Sequence, residues 1–185
     1  LKELEKERNR LAKELHDGVC NDLYALEMNA STLNESWKEL LRTSRENIRR
    51  VSHELLPPTF QETTLKQVLQ NYAERMTSAS CKVTLTTLPE ECDWSVLPET
   101  YCLNIYRIIQ EATGNALKHA SPTEIHLTLK WKLPNLELTI SHNGKFSSTS
   151  EKGIGLQTMK ERVMAMKGHI SVEAEKIQII IPLFL

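Results

Sequence analysis

The first 56 residues carry two long runs of apolar side chains spaced for helices. From Leu1 to Leu33 these side chains recur with spacings of mostly three or four residues, which predicts one long amphipathic helix. Residues 36–56 repeat the spacing, and Pro57 and Pro58 end the second helix because proline has no amide donor. Two such stripes cannot enclose a core, so the pattern predicts an antiparallel helical hairpin that pairs with a second copy as a dimeric four-helix bundle.

The rest of the chain mixes helical and alternating patterns, which predicts an α+β fold. Because the proline pair interrupts the helical periodicity, we expect one domain over residues 1–60 and a second over 61–185. The second domain is predicted to contain helices at 62–77, 97–120 and 155–167, strands at 81–87, 124–131 and 136–141, and a final hairpin over 169–183.

Composition narrows the range of partners. The 23 basic and 24 acidic residues leave a net charge of −1, so neither nucleic acid nor an anionic membrane surface is an expected partner. The four cysteines form no C-x-x-C pair, which fits a reducing, cytoplasmic setting. The first ten residues are too charged for a signal peptide, and no apolar run reaches about 18 residues. We therefore expect any membrane anchor to precede Leu1.

The stretch "ELHDG" places His16 beside Asp17. An imidazole is a nucleophile when one ring nitrogen is free and the other is held as N–H by an acceptor, which a carboxylate supplies. His16 lies one position off the buried stripe, on the flank of the helix, where a reagent can reach it. The alternative is an ordinary exposed pair, and composition alone favours that interpretation.

A second stretch, "QEATGNALKHA", collects polar groups on one side of a predicted helix. Glu111 and Asn115 are four residues apart and share a face, which Lys118 and His119 continue. An acid, an amide oxygen and two cations suit a hydrated Mg²⁺ with a phosphate chain. The alternative is a solvated face, and periodicity does not separate the two.

A third stretch, "HNGKF…GIGLQTMKERV", combines a polar loop with a glycine-rich helix start. Gly153 and Gly155 open the helix, where backbone amides and the helix dipole favour phosphate. A G-x-G pair alone is weak support for such a site, and a simple turn before the helix is an equal alternative.

Together and in this order, the three stretches resemble the transmitter core of two-component sensor histidine kinases, in the subfamily of nitrate sensors and the membrane-fluidity sensor. "LAKELHDGV" is similar to the phosphoacceptor box, "IIQEATGNALKHA" to the N box and "GIGLQTMKERV" to the second glycine box. "SHELLPPTF" resembles the end of the second dimerisation helix. The resemblance spans almost the whole chain and implies a dimerisation and phosphotransfer domain followed by a GHKL-type α/β sandwich that binds ATP and Mg²⁺.

The resemblance also implies roles for individual residues. His16 accepts the γ-phosphoryl group of ATP, and Asp17 orients and activates it. Glu111 is the N-box acid, and Asn115 is the Mg²⁺ ligand. The remaining nucleotide-contacting positions are phosphate contacts at Lys118 and His119, lid hinges at Gly153 and Gly155 with the adjacent Leu156, and the first glycine box at His142 and Gly144.

The implied partners are a second copy of the chain, through residues 1–56, and the receiver domain of a response regulator. The phosphoryl group passes from His16 to an aspartate of that regulator. Relatives in this subfamily use an acid and a glutamine four residues later, D-x-x-x-Q, to align a water that dephosphorylates the regulator. Here the pair is Asp17 and Asn21, whose amide is one methylene shorter.

The first glycine box departs from the family pattern, D-x-G-x-G. His142 stands where the family has the aspartate that accepts the adenine amino group; Gly144 is retained and the second glycine is missing. The lid "SSTSEK" and the turn "EAEKIQ" are also short. These departures leave open a non-catalytic dimeric signalling module with a degenerate nucleotide site. The ATP-binding half alone also fits another GHKL ATPase or serine kinase, although the helical hairpin with "ELHDG" argues against that alternative.

Overall fold

The computed structural model describes residues 1–29, 34–60, 62–90, 92–145 and 154–183. The chain forms two compact units, Leu1–Pro58 and Thr59–Leu185, referred to here as unit 1 and unit 2. Each unit is described by itself.

Unit 1 is a helical hairpin, as predicted. Its first arm consists of α1 (Lys2–Glu14), a π-helical turn (Leu15–Cys20) and α2 (Asn21–Met28). Its second arm is α3 (Glu35–Leu55). The first arm was expected as one regular helix to Leu33; the structure inserts the wider turn in its middle, and residues 30–33 lie outside the described part.

Local sequence sets both ends of α3. The side chain of Asn34 accepts a hydrogen bond of 3.0 Å from the backbone N–H of Trp37, which satisfies one of the unpaired amides of the first turn. At the other end Leu56 has extended backbone angles, as the residue before a proline prefers, and Pro57 follows it.

Contacts along the hairpin fix an antiparallel register. Near its open end, the buried Ser52 hydroxyl donates a hydrogen bond of 2.7 Å to the carbonyl of the buried Ala12. In the middle, Cys20 packs with its Sγ 3.9 Å from the carbonyl oxygen of Arg45. Farther along, the Arg45 guanidinium lies 3.3 Å from the Glu27 carboxylate. These contacts join α3 to α1, to the π-helical turn and to α2 in turn.

The two arms do not cover all of their apolar side chains. Among the residues of unit 1 that the structure describes, only Ala12, Cys20 and Ser52 are buried, while large apolar side chains stay exposed on both arms. The most exposed include Leu4, Leu11, Val19, Leu26, Trp37, Leu40 and Val51.

Unit 2 contains the helices α4 (Leu65–Met76), α5 (Glu99–His119) and α6 (Ile154–Ala165), and a short 3₁₀ turn at Trp94–Val96. A capping box starts α4. The Thr64 hydroxyl accepts a hydrogen bond from the backbone N–H of Gln67, and the Gln67 side-chain oxygen accepts one from the backbone N–H of Thr64.

The strands of unit 2 are β1 (Lys82–Leu88), β2 (Glu124–Lys132), β3 (Asn135–His142), β4 (His169–Val172) and β5 (Lys176–Pro182). They form a five-stranded sheet in the order β1-β2-β3-β5-β4. β1 and β2 are parallel, and the remaining neighbours are antiparallel.

The core of unit 2 lies between one face of the sheet and the helices. Strand residues alternate between buried and exposed, as expected for a sheet with one solvated face. The fully buried side chains include Ile125, Leu127 and Leu129 of β2, Leu136 and Leu138 of β3, and Ile105, Ile108 and Ile109 of α5. This two-layer arrangement confirms the predicted fold class, a helical hairpin followed by an α/β sandwich.

The four cysteines are all free. Burial raises the pKa of the Cys102 thiol, on α5, to about 11. That thiol is therefore neutral at pH 7 and behaves as a small apolar side chain. Among the helices that the structure describes, none is long and apolar enough to cross a membrane.

Candidate functional site

His16 and Asp17 form a hydrogen-bonded pair within the π-helical turn. The His16 Nδ1 lies 3.1 Å from the Asp17 Oδ1, and the two side chains are 50% and 75% exposed. A carboxylate is an acceptor only, so in the neutral imidazole Nδ1 carries the proton and Nε2 keeps its lone pair. The expected position of His16 on the accessible flank of the helix is confirmed.

The π-helical turn itself was not predicted. Such turns insert one extra residue into a helix and frequently occur at functional sites. Periodicity gave no signal, because the apolar spacing of three or four continues through it. Gly18 lies inside the turn, and a Cβ placed there would meet no atom within 4 Å, so a steric need does not explain that glycine.

Asn21 follows Asp17 by four residues, and its side chain forms a hydrogen bond with the backbone of Asp17. The Asn21 Nδ2 donates a hydrogen bond of 2.9 Å to the carbonyl oxygen of Asp17. The amide nitrogen is therefore held by its own helix, and the side chain stays exposed.

In unit 2, Glu111 and Asn115 lie on one face of α5, as their spacing predicted. The Asn115 Nδ2 donates a hydrogen bond of 3.3 Å to the Glu111 Oε1. Both side chains are partly buried, so they present oxygen atoms at the edge of the core. One turn later, Lys118 and His119 are exposed in the last turn of α5, where the helix dipole favours cations.

Gly155 brings the start of α6 against this pair. A Cβ at Gly155 would overlap the Glu111 carboxylate and lie 3.2 Å from the Asn115 Nδ2. A larger residue here would displace the end of the Glu111 side chain from its observed position, so the second glycine motif and the N box meet at one place. Leu156 is partly buried and packs against the core. Gly153 lies outside the described residues, as does the lid at 147–152.

Hydrogen bonds connect the loop after β3 to the start of β2. The Asn143 Oδ1 accepts hydrogen bonds of 2.9 Å from the Thr123 amide and 3.0 Å from the Glu124 amide. Sequence reasoning missed this role of Asn143, although an asparagine before a glycine is a common turn signal. Gly144 is buried, and a Cβ there would lie 2.9 Å from the Pro122 nitrogen.

His142 ends β3 with its side chain on the helix-covered face of the sheet. It pairs with the buried Ile125 on β2 and lies two residues after the buried Ile140, so it shares their face. Its Nδ1 is buried. The structure therefore puts a ring nitrogen of His142 on the same side of the sheet as α5.

A metal at Glu111 and Asn115 would need further ligands from a bound molecule. Within the ranges that the structure describes, no group of three or more His, Cys, Asp or Glu residues could hold a metal ion. A cavity of about 330 Å³ lies elsewhere in unit 2, and none of the predicted nucleotide-contacting residues lines it. It is bordered by Phe60, Trp94, Leu97, Glu99 and neighbouring residues.

Two known protein families match this chain, one mainly in unit 1 and the other in unit 2. Residues 7–59 match the family described as "Histidine kinase", and residues 102–183 match "Histidine kinase-, DNA gyrase B-, and HSP90-like ATPase". The chain is 27% identical to the sensor histidine kinase LiaS of Bacillus subtilis, over 98% of this chain and 55% of that protein. It is 30% identical to the sensor protein VraS of Staphylococcus aureus, over 87% of this chain and 50% of that protein.

The fold also matches solved structures. The histidine kinase domain of the Erythrobacter litoralis EL346 blue-light activated histidine kinase aligns with a TM-score of 0.56 and 16% identity, over 97% of this chain and 94% of that chain. The chain spans about half the length of the curated relatives it matches. These matches confirm the resemblance: the chain belongs to the two-component sensor histidine kinases, as a transmitter core of the nitrate-sensor-like subfamily.

Proposed function

We propose that the chain phosphorylates itself on His16 from ATP bound by unit 2 and then passes the phosphoryl group to an aspartate of a response regulator. The hydrogen bond between His16 and Asp17 is the observation that carries this proposal, because it leaves Nε2 as an exposed nucleophile. In the proposed division of labour, residues 1–60 dimerise and carry the phosphoryl group, and residues 61–185 bind the nucleotide.

The proposed step needs little covalent help from the protein. The Nε2 lone pair of His16 forms the N–P bond while the bond from phosphorus to the leaving ADP oxygen breaks. No proton leaves Nε2, because that nitrogen carries none in this tautomer. The ring gains positive charge as the bond forms, and the Asp17 carboxylate beside Nδ1 stabilises it. Positioning and charge neutralisation then dominate the rate.

The residues of unit 2 fit a nucleotide with its Mg²⁺. Glu111 and Asn115 supply hard oxygen donors, and Gly155 lets the α6 backbone approach them. A Mg²⁺ held by Asn115 would neutralise charge on the phosphates. Lys118 and His119 stand at the end of α5, where they can contact phosphate oxygens. The proposed nucleotide-contacting set also includes Gly153, Leu156 and Gly144, the last of which lies in the loop after β3.

The replacement of the family aspartate by His142 is the observation that supports the alternative, a non-catalytic module. A histidine accepts a hydrogen bond only through an unprotonated nitrogen, whereas a carboxylate accepts at either oxygen. We propose that His142 still receives the adenine amino group, with weaker selectivity. A nucleotide-dependent rise in Tm with Mg-ATP supports binding, since ligand stabilises only the folded state, and no rise favours the non-catalytic module.

The exposed apolar side chains of unit 1 support a homodimer through residues 1–56. Leu11, Val19, Leu40 and Val51 are each more than a third exposed, which is unusual for so many large apolar groups on one short hairpin. A second hairpin would cover them as a four-helix bundle. Sedimentation equilibrium tests this directly: a dimer mass supports the proposal, and a monomer at micromolar concentration contradicts it.

We propose that Asp17 and Asn21 also align water for dephosphorylation of the regulator. The Asn21 nitrogen is held by the Asp17 carbonyl, so the short amide is withdrawn toward its own helix. Asn21→Gln extends the amide by one methylene and should raise the rate of regulator dephosphorylation. The matched control is Asn29→Gln, because Asn29 makes the same bond, to Ala25, away from the histidine. No rise, or an equal rise in the control, argues against this role.

The acid stability of the phosphate on the protein separates the proposed histidine kinase from the alternative of a serine kinase. Phosphohistidine is acid-labile and stable in base, whereas a serine kinase leaves an acid-stable phosphate. We propose that this reaction takes place in the cytoplasm, where ATP and response regulators are found.

A further inference from the structure

A second histidine faces the proposed phosphoacceptor. The rings of His16 and His53 have centroids 6.4 Å apart and planes at 83°, an edge-to-face arrangement. His16 lies in the π-helical turn, and His53 lies in the last turn of α3. Both side chains are exposed, so a group added to one ring can reach the other without displacing the core.

A buried contact fixes this juxtaposition. The Ser52 hydroxyl donates to the Ala12 carbonyl at 2.7 Å, and both residues are 1% exposed. His53 follows Ser52 directly, and His16 follows Ala12 by four residues, about one turn. The position of His53 beside His16 therefore depends on the register of the hairpin and not on a chance approach of two surface side chains.

We propose that His53 binds the phosphoryl group once His16 carries it, and so stabilises the phosphorylated form of the chain. This inference rests on the proposed function, because it requires phosphorylation of His16. A phosphoryl group on Nε2 extends the His16 side chain by an N–P and a P–O bond. With the ring centroids 6.4 Å apart, the proposal requires that these anionic oxygens come within hydrogen-bond reach of the His53 ring.

An imidazole suits this role because it always has an N–H to donate. Hydrogen bonds to charged oxygens are shorter and stronger than bonds between neutral groups. The proposed contact forms only when the phosphoryl group is present, so it favours the phosphorylated state selectively. His53 is thus a phosphoryl-binding residue for the proposed reaction, supplied by the second arm of the hairpin.

The test is the equilibrium of phosphorylation, measured on the full chain with Mg²⁺ and labelled nucleotide over a series of ATP:ADP ratios, approached from both directions. The ratio at half-maximal labelling reports the stability of the phosphorylated form. The plateau at the highest ratio reports the amount of competent protein. A substitution that only unfolds part of the protein lowers the plateau of labelling but leaves the ATP:ADP ratio at half-maximal labelling unchanged.

For His53→Ala we expect the ATP:ADP ratio at half-labelling to rise by about two- to tenfold, the usual range for one exposed hydrogen bond. His53→Gln keeps an N–H donor and should recover most of the shift. His169→Ala, which removes an exposed histidine of β4, should match the native chain. An unchanged midpoint in His53→Ala would overturn the inference while leaving the kinase proposal intact. Absence of acid-labile label in the native chain would overturn both.

Discussion

The Nδ1 of His16 lies 3.1 Å from the Oδ1 of Asp17, the next residue along the chain. Neighbouring side chains on a regular α-helix diverge by about 100°, and residues one apart do not face each other. The pair forms inside the π-helical turn Leu15–Cys20, where the helix widens. The local geometry therefore holds one ring nitrogen and leaves the other for chemistry.

Asp17→Asn should slow phosphorylation of His16 by roughly tenfold to a hundredfold, at or below the lower end of what a positioned acid or base contributes. The amide keeps the size of the side chain but loses the charge that stabilises the ring during attack. Asp22→Asn, which removes another exposed carboxylate of the same arm, controls for net charge. The measurement is the initial rate of label incorporation, and equal rates for the two variants would contradict the assigned role.

Ser52→Ala should lower the free energy of unfolding by about 1 kcal/mol, because it removes a buried hydrogen bond between the arms of the hairpin. Ser36→Ala makes the same change at an exposed position of α3 and should have little effect. Urea unfolding followed by circular dichroism measures both. A Ser52 variant as stable as the native chain would show that the bond does not hold the register.

Gly155→Ala should weaken Mg-ATP binding by about tenfold or more, since the new methyl group displaces the Glu111 carboxylate, and it should leave unit 2 less stable than Gly114→Ala does. Gly114→Ala is the matched control for stability. A Cβ at Gly114 meets no atom within 4 Å, so this change within α5 should stabilise the fold by about 0.5–1 kcal/mol. Calorimetric titration and thermal unfolding report the two quantities. Equal stability of the two variants would contradict the described contact.

His142→Asp should tighten ATP binding by roughly tenfold, because it restores a charged acceptor at the position where the family binds the adenine amino group. His169→Asp makes the same change of charge at an exposed site on β4 and should leave the affinity unchanged. The Kd from calorimetric titration is the readout. An unchanged or weaker Kd in His142→Asp would show that residue 142 does not contact adenine.

The regular elements were predictable from sequence because their signals are local. Strand β2 was expected at 124–131 and is observed at Glu124–Lys132, since strict alternation of apolar residues fixes which face is buried. The helix expected at 97–120 is observed at Glu99–His119, with Pro98 just before its first residue. The pairing of Glu111 with Asn115 follows from helical spacing alone.

The features that were missed depend on contacts between distant residues. Nothing in the spacing of the first arm distinguishes a π-helical turn from a regular helix. The approach of Gly155 to Glu111 joins residues 44 positions apart in sequence, and that of His53 to His16 joins residues 37 apart. Such pairs follow from packing, which a single sequence does not specify.

Incubation with γ-labelled ATP and Mg²⁺, comparing the native chain with His16→Gln, tests the central claim most directly. We predict a label that is acid-labile, stable in base and absent from the variant. His16→Gln should remain dimeric and folded, because His16 is an exposed residue. An acid-stable label, a label that persists in the variant, or no label on a folded dimer at high ATP would contradict the account.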